Sequence, residues 1–232
     1  RSHEELESRV AERTAKLKET IGELERFSYS ISHDMRSPLR AMYAYAQALS
    51  EDCASKLNPN ELASLERIKR VSNRLDQLIR DVLAYSKISQ GQIDLHPVDL
   101  DRIVKEVIQD QFEAAKDRIL IEKPLSRVLG HEAYLTQCVS NLLDNALKFV
   151  VHGTAPEVRI RSEILGDKVR FSVTDNGVGI KSENHDRIFQ MFSRVYSEKE
   201  YEGTGIGLCI VKKALSRMGG EAGFNSELGK GS

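Results

Sequence analysis

The chain has 232 residues, which is enough for one large domain or two small ones. Hydrophobic residues make up 40% and charged residues 30%, and the net charge of −1 gives no electrostatic reason to expect binding to nucleic acid or to an anionic membrane. No apolar run approaches the roughly 20 residues that span a bilayer, and no signal-peptide pattern opens the sequence. Three cysteines without CxxC spacing predict reduced, mostly buried thiols in a cytoplasmic protein: Cys53, Cys138 and Cys209.

Residues 1 to 52 are predicted to form one long helix. Its apolar residues recur every seven positions over four heptads, at Val10, Leu17, Leu24 and Ile31. A heptad seam favours a left-handed helix pair, so we expect a dimeric coil rather than a single amphipathic helix on a globular core. The pattern is already running at Arg1, so we expect a fragment with an input module before it. The longer protein that carries this segment can be attached to a membrane.

A histidine and an aspartate, His33 and Asp34, lie side by side in this helix. Pro38 follows five residues after the histidine and is expected to bend the helix, because proline lacks an amide hydrogen and clashes with the preceding turn. An imidazole beside a carboxylate that accepts its proton is a candidate nucleophile. A lone helical histidine is more often a bystander or a metal ligand, so His33 gains weight only from the motifs that follow.

A second helix is predicted from Asn58 to about Ser89. Asn58 suits the N-cap, Pro59 suits the first helical position, and Glu61 completes a capping box. Two helices with a short link form an antiparallel hairpin, and pairing of two copies as a four-helix bundle would cover its apolar seam.

The rest of the chain has a mixed helix and strand pattern. Glycine and proline in residues 90–97 mark a boundary, which predicts an all-α domain over residues 1–92 and a second domain over residues 93–232. The predicted elements are helices over 99–116, 132–150 and 206–218, and strands over 119–122, 158–164, 169–174 and from residue 222. In this interpretation successive strands pair by hairpins rather than helical crossovers, so we expect an α+β sandwich with helices on one sheet face.

One polar cluster lies on the predicted helix over residues 132–150. Asn141, Asn145 and Lys148 share one face of that helix. Amide oxygens followed by an ammonium suit Mg²⁺ with phosphates, although a solvated helix face explains the same residues equally well.

Two glycine-containing segments complete the pattern. Asp175-Asn176-Gly177-Val178-Gly179-Ile180 follows a strand, and its carboxylate can accept a hydrogen bond from an exocyclic amine while the glycines admit a flat ring; a plain turn is the alternative. Gly203-Thr204-Gly205-Ile206-Gly207-Leu208 opens a helix whose first amides can cradle phosphate. Its G-x-G-x-G spacing fits neither a dinucleotide fold nor a Walker motif.

In order and spacing, five segments resemble the sequence boxes of bacterial sensor histidine kinases over nearly the whole chain. They are the segments 33–39, 141–149, 175–180, 188–192 and 203–208. Residues 6–17 resemble the signalling helix that often follows a PAS-type or phytochrome-type sensor. The resemblance implies a dimeric helical hairpin followed by an ATPase domain of the gyrase, heat-shock and histidine-kinase type, with ATP and Mg²⁺ as cofactors.

The resemblance also implies a role for each matching residue. His33 would be the phosphoacceptor and Asp34 its neighbouring base, while Asn145 would bind Mg²⁺. The residues implied to lie near the metal, the adenine or the phosphates are Asn141, Lys148, Asp175, Gly177, Gly179, Gly203, Thr204, Gly205, Gly207 and Leu208. Residues 181–204 would form a lid that Phe189 and Phe192 anchor to the catalytic core, although a plain role as core aromatics explains the two phenylalanines equally well.

The implied reaction is ATP-dependent autophosphorylation of His33, followed by transfer to an aspartate of a response-regulator receiver domain. Two features depart from the family pattern. Ser37 stands where the family often has a threonine or asparagine that supports dephosphorylation of the partner, and the strand that normally follows Gly229-Lys230-Gly231-Ser232 is missing. One rival is a gyrase-type or heat-shock-type ATPase, which needs a carboxylate where this chain has Asn141. The other is a dimerisation scaffold with an inactive ATP site.

Overall fold

The computed structural model describes residues 2–89, 92–196 and 201–232, and within residues 2–33 it describes only some of the side chains. The chain divides into two compact units, Arg1–Ser86 and Lys87–Ser232. Two residues of the predicted linker, Gln90 and Gly91, lie outside the described residues. Nowhere in the described part of the chain is a helix both long and apolar enough to cross a bilayer.

The first unit is a hairpin of two helices, α1 (Ser2–Asp52) and α2 (Pro59–Ser89), as the sequence predicts. The predicted capping box is present at the start of α2. The Asn58 side-chain oxygen accepts hydrogen bonds from the amides of Asn60 and Glu61, both at 3.0 Å, and the Glu61 carboxylate accepts from the Asn58 amide at 2.8 Å. These bonds satisfy amides that have no partner within the helix.

The interior of the hairpin is small and largely apolar. Leu39 and Ala46 of α1 and Ile79 and Leu83 of α2 are buried, and Leu39, Ile79 and Leu83 form one cluster. Two polar side chains of α2, Ser72 and Asp81, are buried as well. Pro38 lies inside α1, which continues past it to Asp52.

A second apolar stripe of the hairpin is exposed among the described residues. Its members are large hydrophobic side chains that are each more than a third exposed: Ile31, Met35, Met42, Tyr45 and Leu49 on α1, and Ile68, Val71 and Leu75 on α2. The other three residues of the predicted heptad seam, Val10, Leu17 and Leu24, have side chains outside the described part of the chain.

The described residues from His96 onwards form three helices, two 3-10 turns and five strands. In chain order they are β1 (His96–Asp99), α3 (Leu100–Gln111), a 3-10 turn (Glu113–Arg118), β2 (Ile119–Ile121), β3 (Arg127–Gly130), α4 (Glu132–Lys148), β4 (Val158–Leu165), β5 (Lys168–Asp175), a 3-10 turn (Ser182–Asn184) and α5 (Gly207–Arg217). β1 pairs with β3 antiparallel. The larger sheet has the order β2-β4-β5.

The strand connections differ in part from the prediction. β4 and β5 form the expected antiparallel hairpin, but β2 pairs with β4 in parallel, so the chain crosses over through α4 between them. A parallel pair needs such a crossover, and the expectation that successive strands pair only by hairpins is wrong. The α+β class with helices against a sheet is confirmed.

Several boundaries also differ. α3 ends at Gln111 because Phe112 leaves the helical region, with φ −130°, and packs against the core. The region from residue 222 forms no strand among the described residues, and it contributes only an isolated bridge between Glu227 and Gly231.

The core of this unit lies between α3, α4 and the larger sheet. Its fully buried members include Ile103, Val104, Leu143 and Ile160. All three cysteines are free thiols, of which Cys138 is buried and Cys53 and Cys209 are partly exposed. Burial raises the pKa of the Cys138 thiol to about 12, because a thiolate is poorly solvated there.

Candidate functional site

The polar face of α4 and the glycine segment before α5 lie against each other. A side chain added at Gly207 would place its Cβ 3.4 Å from the Asn141 oxygen, and one added at Gly203 would come within 3.5 Å of the Lys148 ammonium. Asn141 and Lys148 are seven residues apart, about 10 Å along a helix. The glycine segment therefore follows the predicted face of α4 along its length, in the opposite direction.

This face carries polar groups that the protein itself does not saturate. The side-chain nitrogen of Asn141 is buried without a hydrogen-bond partner in the described part of the chain. Asn145 is half-buried, and its side chain forms no hydrogen bond with any other described residue. Lys148 contacts the Asp144 carboxylate at 2.7 Å and lies 4.9 Å from the centre of the Phe149 ring. A buried amide without a partner is costly, so the face fits a further polar group.

Asp175 ends β5 and begins the second predicted cluster. Its Oδ1 accepts hydrogen bonds from the amides of Gly177, at 2.8 Å, and Ser232, at 3.2 Å. Burial raises the pKa of the Asp175 carboxyl above its usual value, while these two bonds act in the opposite direction. Since Oδ2 has no hydrogen bond to the described residues, it is available to accept one from a ligand.

The turn after Asp175 packs on the end of α4. The Val178 amide donates to the Phe149 carbonyl at 2.8 Å, and Gly177 is so close to the same carbonyl that a Cβ there would overlap it. Gly179 has φ +70° and lies against the Glu227 carbonyl, which requires glycine. The predicted adenine-side and phosphate-side residues therefore meet at one helix end, next to Lys148.

The segment with the two phenylalanines contacts the glycine segment through its backbone. Gly205 has φ +73°, and a Cβ there would lie 2.8 Å from the Ser193 carbonyl oxygen. The Phe189 ring lies 6.0 Å from that of Phe224, whereas Phe192 has φ +61° and is 56% exposed. The ring of Phe192 therefore does not provide the implied anchor in this structure.

The remaining residues of the glycine segment have local roles. The Thr204 hydroxyl accepts from the Ile206 amide at 3.4 Å, and Leu208 lies in the first turn of α5.

The sequence interpretation missed two tyrosines at this site. The Tyr196 hydroxyl donates to the Gly179 carbonyl, and the Tyr201 hydroxyl donates to the Val150 carbonyl at 2.7 Å. Between them, residues 197–200 of the predicted lid lie outside the described residues. The closeness of these two tyrosines to the glycine segment was visible in the sequence. Hydrophobic periodicity, however, does not predict which residues they contact.

The structure does not bring His33 and Asp34 together with these residues in one unit, because both lie in α1. Asp34 is exposed, and the His33 side chain lies outside what the structure describes.

Comparison with known families accounts for both units. Residues 23–91 match the His Kinase A (phospho-acceptor) domain. Residues 130–232 match the family of histidine kinase-, DNA gyrase B-, and HSP90-like ATPases. A phosphoacceptor domain followed by this ATPase domain defines the sensor histidine kinases, and the chain belongs to that family.

Individual proteins agree with this assignment. Cyanobacterial phytochrome A of Nostoc sp. is 33% identical over 217 residues, which cover 93% of this chain and 28% of the phytochrome. The signal transduction histidine-protein kinase BarA of Escherichia coli K12 is 28% identical over 264 residues, covering 99% of this chain and 28% of BarA. Full-length ShkA, solved in complex with AMPPNP, has a TM-score of 0.64 and 29% identity, covering 89% of this chain and 44% of that chain. The chain thus spans less than a third of the length of the phytochrome and of BarA.

Proposed function

We propose that this chain is the kinase core of a sensor histidine kinase, which transfers the γ-phosphoryl group of ATP to His33. The observation that carries the proposal is the packing of the glycine segment along the polar face of α4, where the buried side-chain nitrogen of Asn141 has no hydrogen-bond partner among the described residues. The ShkA complex with AMPPNP supports an adenine nucleotide as the ligand of such a site.

The residues of this site bind different parts of the nucleotide. Asp175 accepts a hydrogen bond from the exocyclic amine of adenine through its Oδ2. Asn141 and Lys148 of α4 donate to phosphate oxygens, and so do the backbone amides of the glycine segment. Such positioning and charge neutralisation supply most of the catalysis in phosphoryl transfer.

Mg²⁺ fits the donor set of α4 only together with the nucleotide. No group of three or more His, Cys, Asp or Glu side chains in the described residues is placed to hold a metal ion. The amide oxygen of Asn145 is a hard ligand, and Mg²⁺ commonly takes one or two protein ligands together with phosphates and water. When bound, Mg²⁺ would neutralise charge on the phosphate oxygens.

The acceptor step takes place on α1. A ring nitrogen of His33 forms a bond to the γ-phosphorus while the bond from that phosphorus to the bridging oxygen breaks, and ADP leaves with the electron pair. The imidazole proton passes to the neighbouring carboxylate of Asp34. The product is a phosphoramidate on His33. Its phosphoryl group would be transferred to a receiver-domain aspartate in the next step.

Two further features belong to this proposal. The exposed apolar stripe on α1 and α2 is covered when a second copy of the chain pairs with it, which supports a homodimer. An upstream sensor module of PAS or phytochrome type would act through the helical segment at residues 6–17. We also propose that this core lies in the cytoplasm, where ATP is available.

The proposal is tested by incubating the purified chain with γ-labelled ATP and Mg²⁺. We expect label on the protein that is stable in alkali and lost in acid, as a phosphoramidate is. His33→Gln should lose the label because the acceptor nitrogen is gone, and Asn145→Ala should lose it because the metal ligand is gone.

Other outcomes separate the rivals. Release of free phosphate without protein label would favour an ATPase of the gyrase or heat-shock type, and neither product would favour an inactive scaffold. A fully active Asn145→Ala variant would remove the metal assignment but leave the acceptor assignment intact.

A further inference from the structure

Tyr201 is tied to the end of α4 more extensively than any sequence motif indicates. Its hydroxyl donates to the Val150 carbonyl at 2.7 Å. Its ring lies 5.4 Å from that of Phe149, 5.4 Å from that of Tyr196 and 5.6 Å from that of His152, measured between ring centres. These contacts hold the side chain through one hydrogen bond and three aromatic neighbours.

The backbone of Tyr201 is held as well. Its carbonyl accepts a hydrogen bond from the Arg194 guanidinium at 2.9 Å. Tyr201 therefore connects three segments of the chain: the one that contains it, the one that contains Arg194, and the one that directly follows Lys148 at the end of α4. A side chain with partners on both sides fixes the course of the backbone that carries it.

Tyr201 lies close to the glycine segment, so its contacts also position that segment. Gly203 is two residues further along, and its backbone lies against the ammonium of Lys148. Phe149 and Val150, which hold the tyrosine, immediately follow that lysine. Tyr201 thus fixes the start of the glycine segment relative to the ammonium of Lys148.

We propose that Tyr201 is a positioning residue for the triphosphate, which it serves by holding Gly203 against Lys148 before the nucleotide binds. This inference rests on the proposed ATP site. A phosphate-binding segment that is already ordered binds more tightly than one that must become ordered on binding. The reason is that binding to the ordered segment costs less conformational entropy. Tyr201 itself does not contact the reacting atoms.

A simpler role is that Tyr201 only completes the hydrophobic packing of the domain. The two roles predict different losses among nucleotides. A positioning residue acts on the β- and γ-phosphates, so its loss weakens binding of ATP while binding of AMP, which depends on the Asp175 end, is kept. A packing residue affects both nucleotides alike or affects only stability.

The test uses the whole chain with Mg²⁺ and measures the dissociation constants of ATP and AMP by titration calorimetry, together with KM and kcat of autophosphorylation. Tyr201→Phe keeps the ring and removes one hydrogen bond, and we expect about fivefold weaker ATP binding. Tyr201→Ala also removes the ring contacts, and we expect a loss of tenfold or more, on the scale of aromatic pair energies added to the hydrogen bond. KM for ATP should rise in the same order, and AMP affinity should stay within about twofold of the wild-type value.

The matched control is Tyr134→Phe, which removes a tyrosine hydroxyl elsewhere in the same unit, where the ring stacks on His131. It should leave both affinities unchanged. Wild-type affinity for ATP in a folded Tyr201→Ala variant, or equal losses for ATP and AMP, would overturn the proposal. If Tyr201→Ala does not fold, the comparison of Tyr201→Phe with Tyr134→Phe decides it.

Failure of the proposed kinase function would look different. A wild-type chain that binds ATP but forms no phosphohistidine would refute the kinase, and the ATP and AMP affinities would still test Tyr201. A wild-type chain that binds no ATP would overturn both.

Discussion

The Asp175 carboxylate has one observed role and one proposed role. Its Oδ1 accepts hydrogen bonds from the amides of Gly177 and Ser232, and this fixes the turn that packs on α4. Its Oδ2 is proposed to accept a hydrogen bond from the base of the nucleotide. Because the group is partly buried, its ionised form is poorly solvated and its pKa is raised.

Asp175→Asn should separate these two roles of the side chain. The asparagine oxygen can still accept from the two amides, so the fold is kept, but its NH₂ group would face the exocyclic amine of adenine, donor against donor. We expect ATP binding to weaken by roughly 10- to 100-fold, the range for losing a hydrogen bond to a charged group. Titration calorimetry measures this, with Asp167→Asn in the exposed β4–β5 turn as the control, and unchanged ATP affinity would remove Asp175 from the site.

The raised pKa also predicts how stability depends on pH. A carboxyl whose pKa is higher in the folded state favours folding fully below the usual aspartate pKa, and this contribution is lost as pH rises through the folded pKa. Asp175→Asn does not titrate, so its free energy of unfolding relative to wild type should increase from about pH 3 to neutral pH. Denaturant unfolding at several pH values measures the difference, and a relative stability that falls over this range would contradict the assignment.

At the scale of the element, the start of α2 shows local sequence chemistry deciding a boundary. Asn58, Pro59 and Glu61 specify a capped helix start, and the structure forms every bond of that capping box. Such a boundary is predictable because all its partners lie within four residues of one another.

Asn58→Ala should therefore lower the free energy of unfolding of the helical hairpin by about 1 kcal/mol, since two amides lose their acceptor. The matched control is Asn60→Ala, which lies in the same helical turn but has an exposed side chain that is not part of the box. Thermal unfolding followed by circular dichroism gives both values. Equal stability of the two variants would show that the cap contributes nothing.

Other elements were not predictable because their partners are distant in sequence. β1 and β3 are four residues long, and they pair across α3 and β2. The parallel pairing of β2 with β4 depends on how α4 packs, which a local pattern does not contain. Phe112 ends α3 early because its ring joins the core, so tertiary packing overrides helical periodicity there.

The candidate site shows the same division. Its predicted polar clusters are local motifs, and the structure places the Asp175 turn and Gly203 at the end of α4. The Tyr201 bond to Val150 spans 51 positions and the Asp175 bond to Ser232 spans 57. No spacing rule connects such pairs.

At the scale of the whole molecule, the proposed homodimer depends on the apolar stripe of α1 and α2, which is exposed among the described residues. Ile68→Glu places a charge in that stripe, and burying it unpaired between two copies should weaken dimerisation by roughly two orders of magnitude. Asn73→Glu, on the opposite face of α2, is the control. Sedimentation or light scattering over a dilution series reports the result, and a dimer of unchanged strength in Ile68→Glu would assign the stripe another role.

The central claim is that the triphosphate held by the second unit is delivered to one imidazole on the first. It is tested most directly by incubating the intact chain with ATP and Mg²⁺, digesting it under alkaline conditions and locating the phosphoryl group by mass spectrometry. We expect one phosphohistidine, in the peptide that contains His33. A phosphoryl group on any other residue, or ATP turnover that leaves the chain unmodified, would contradict it.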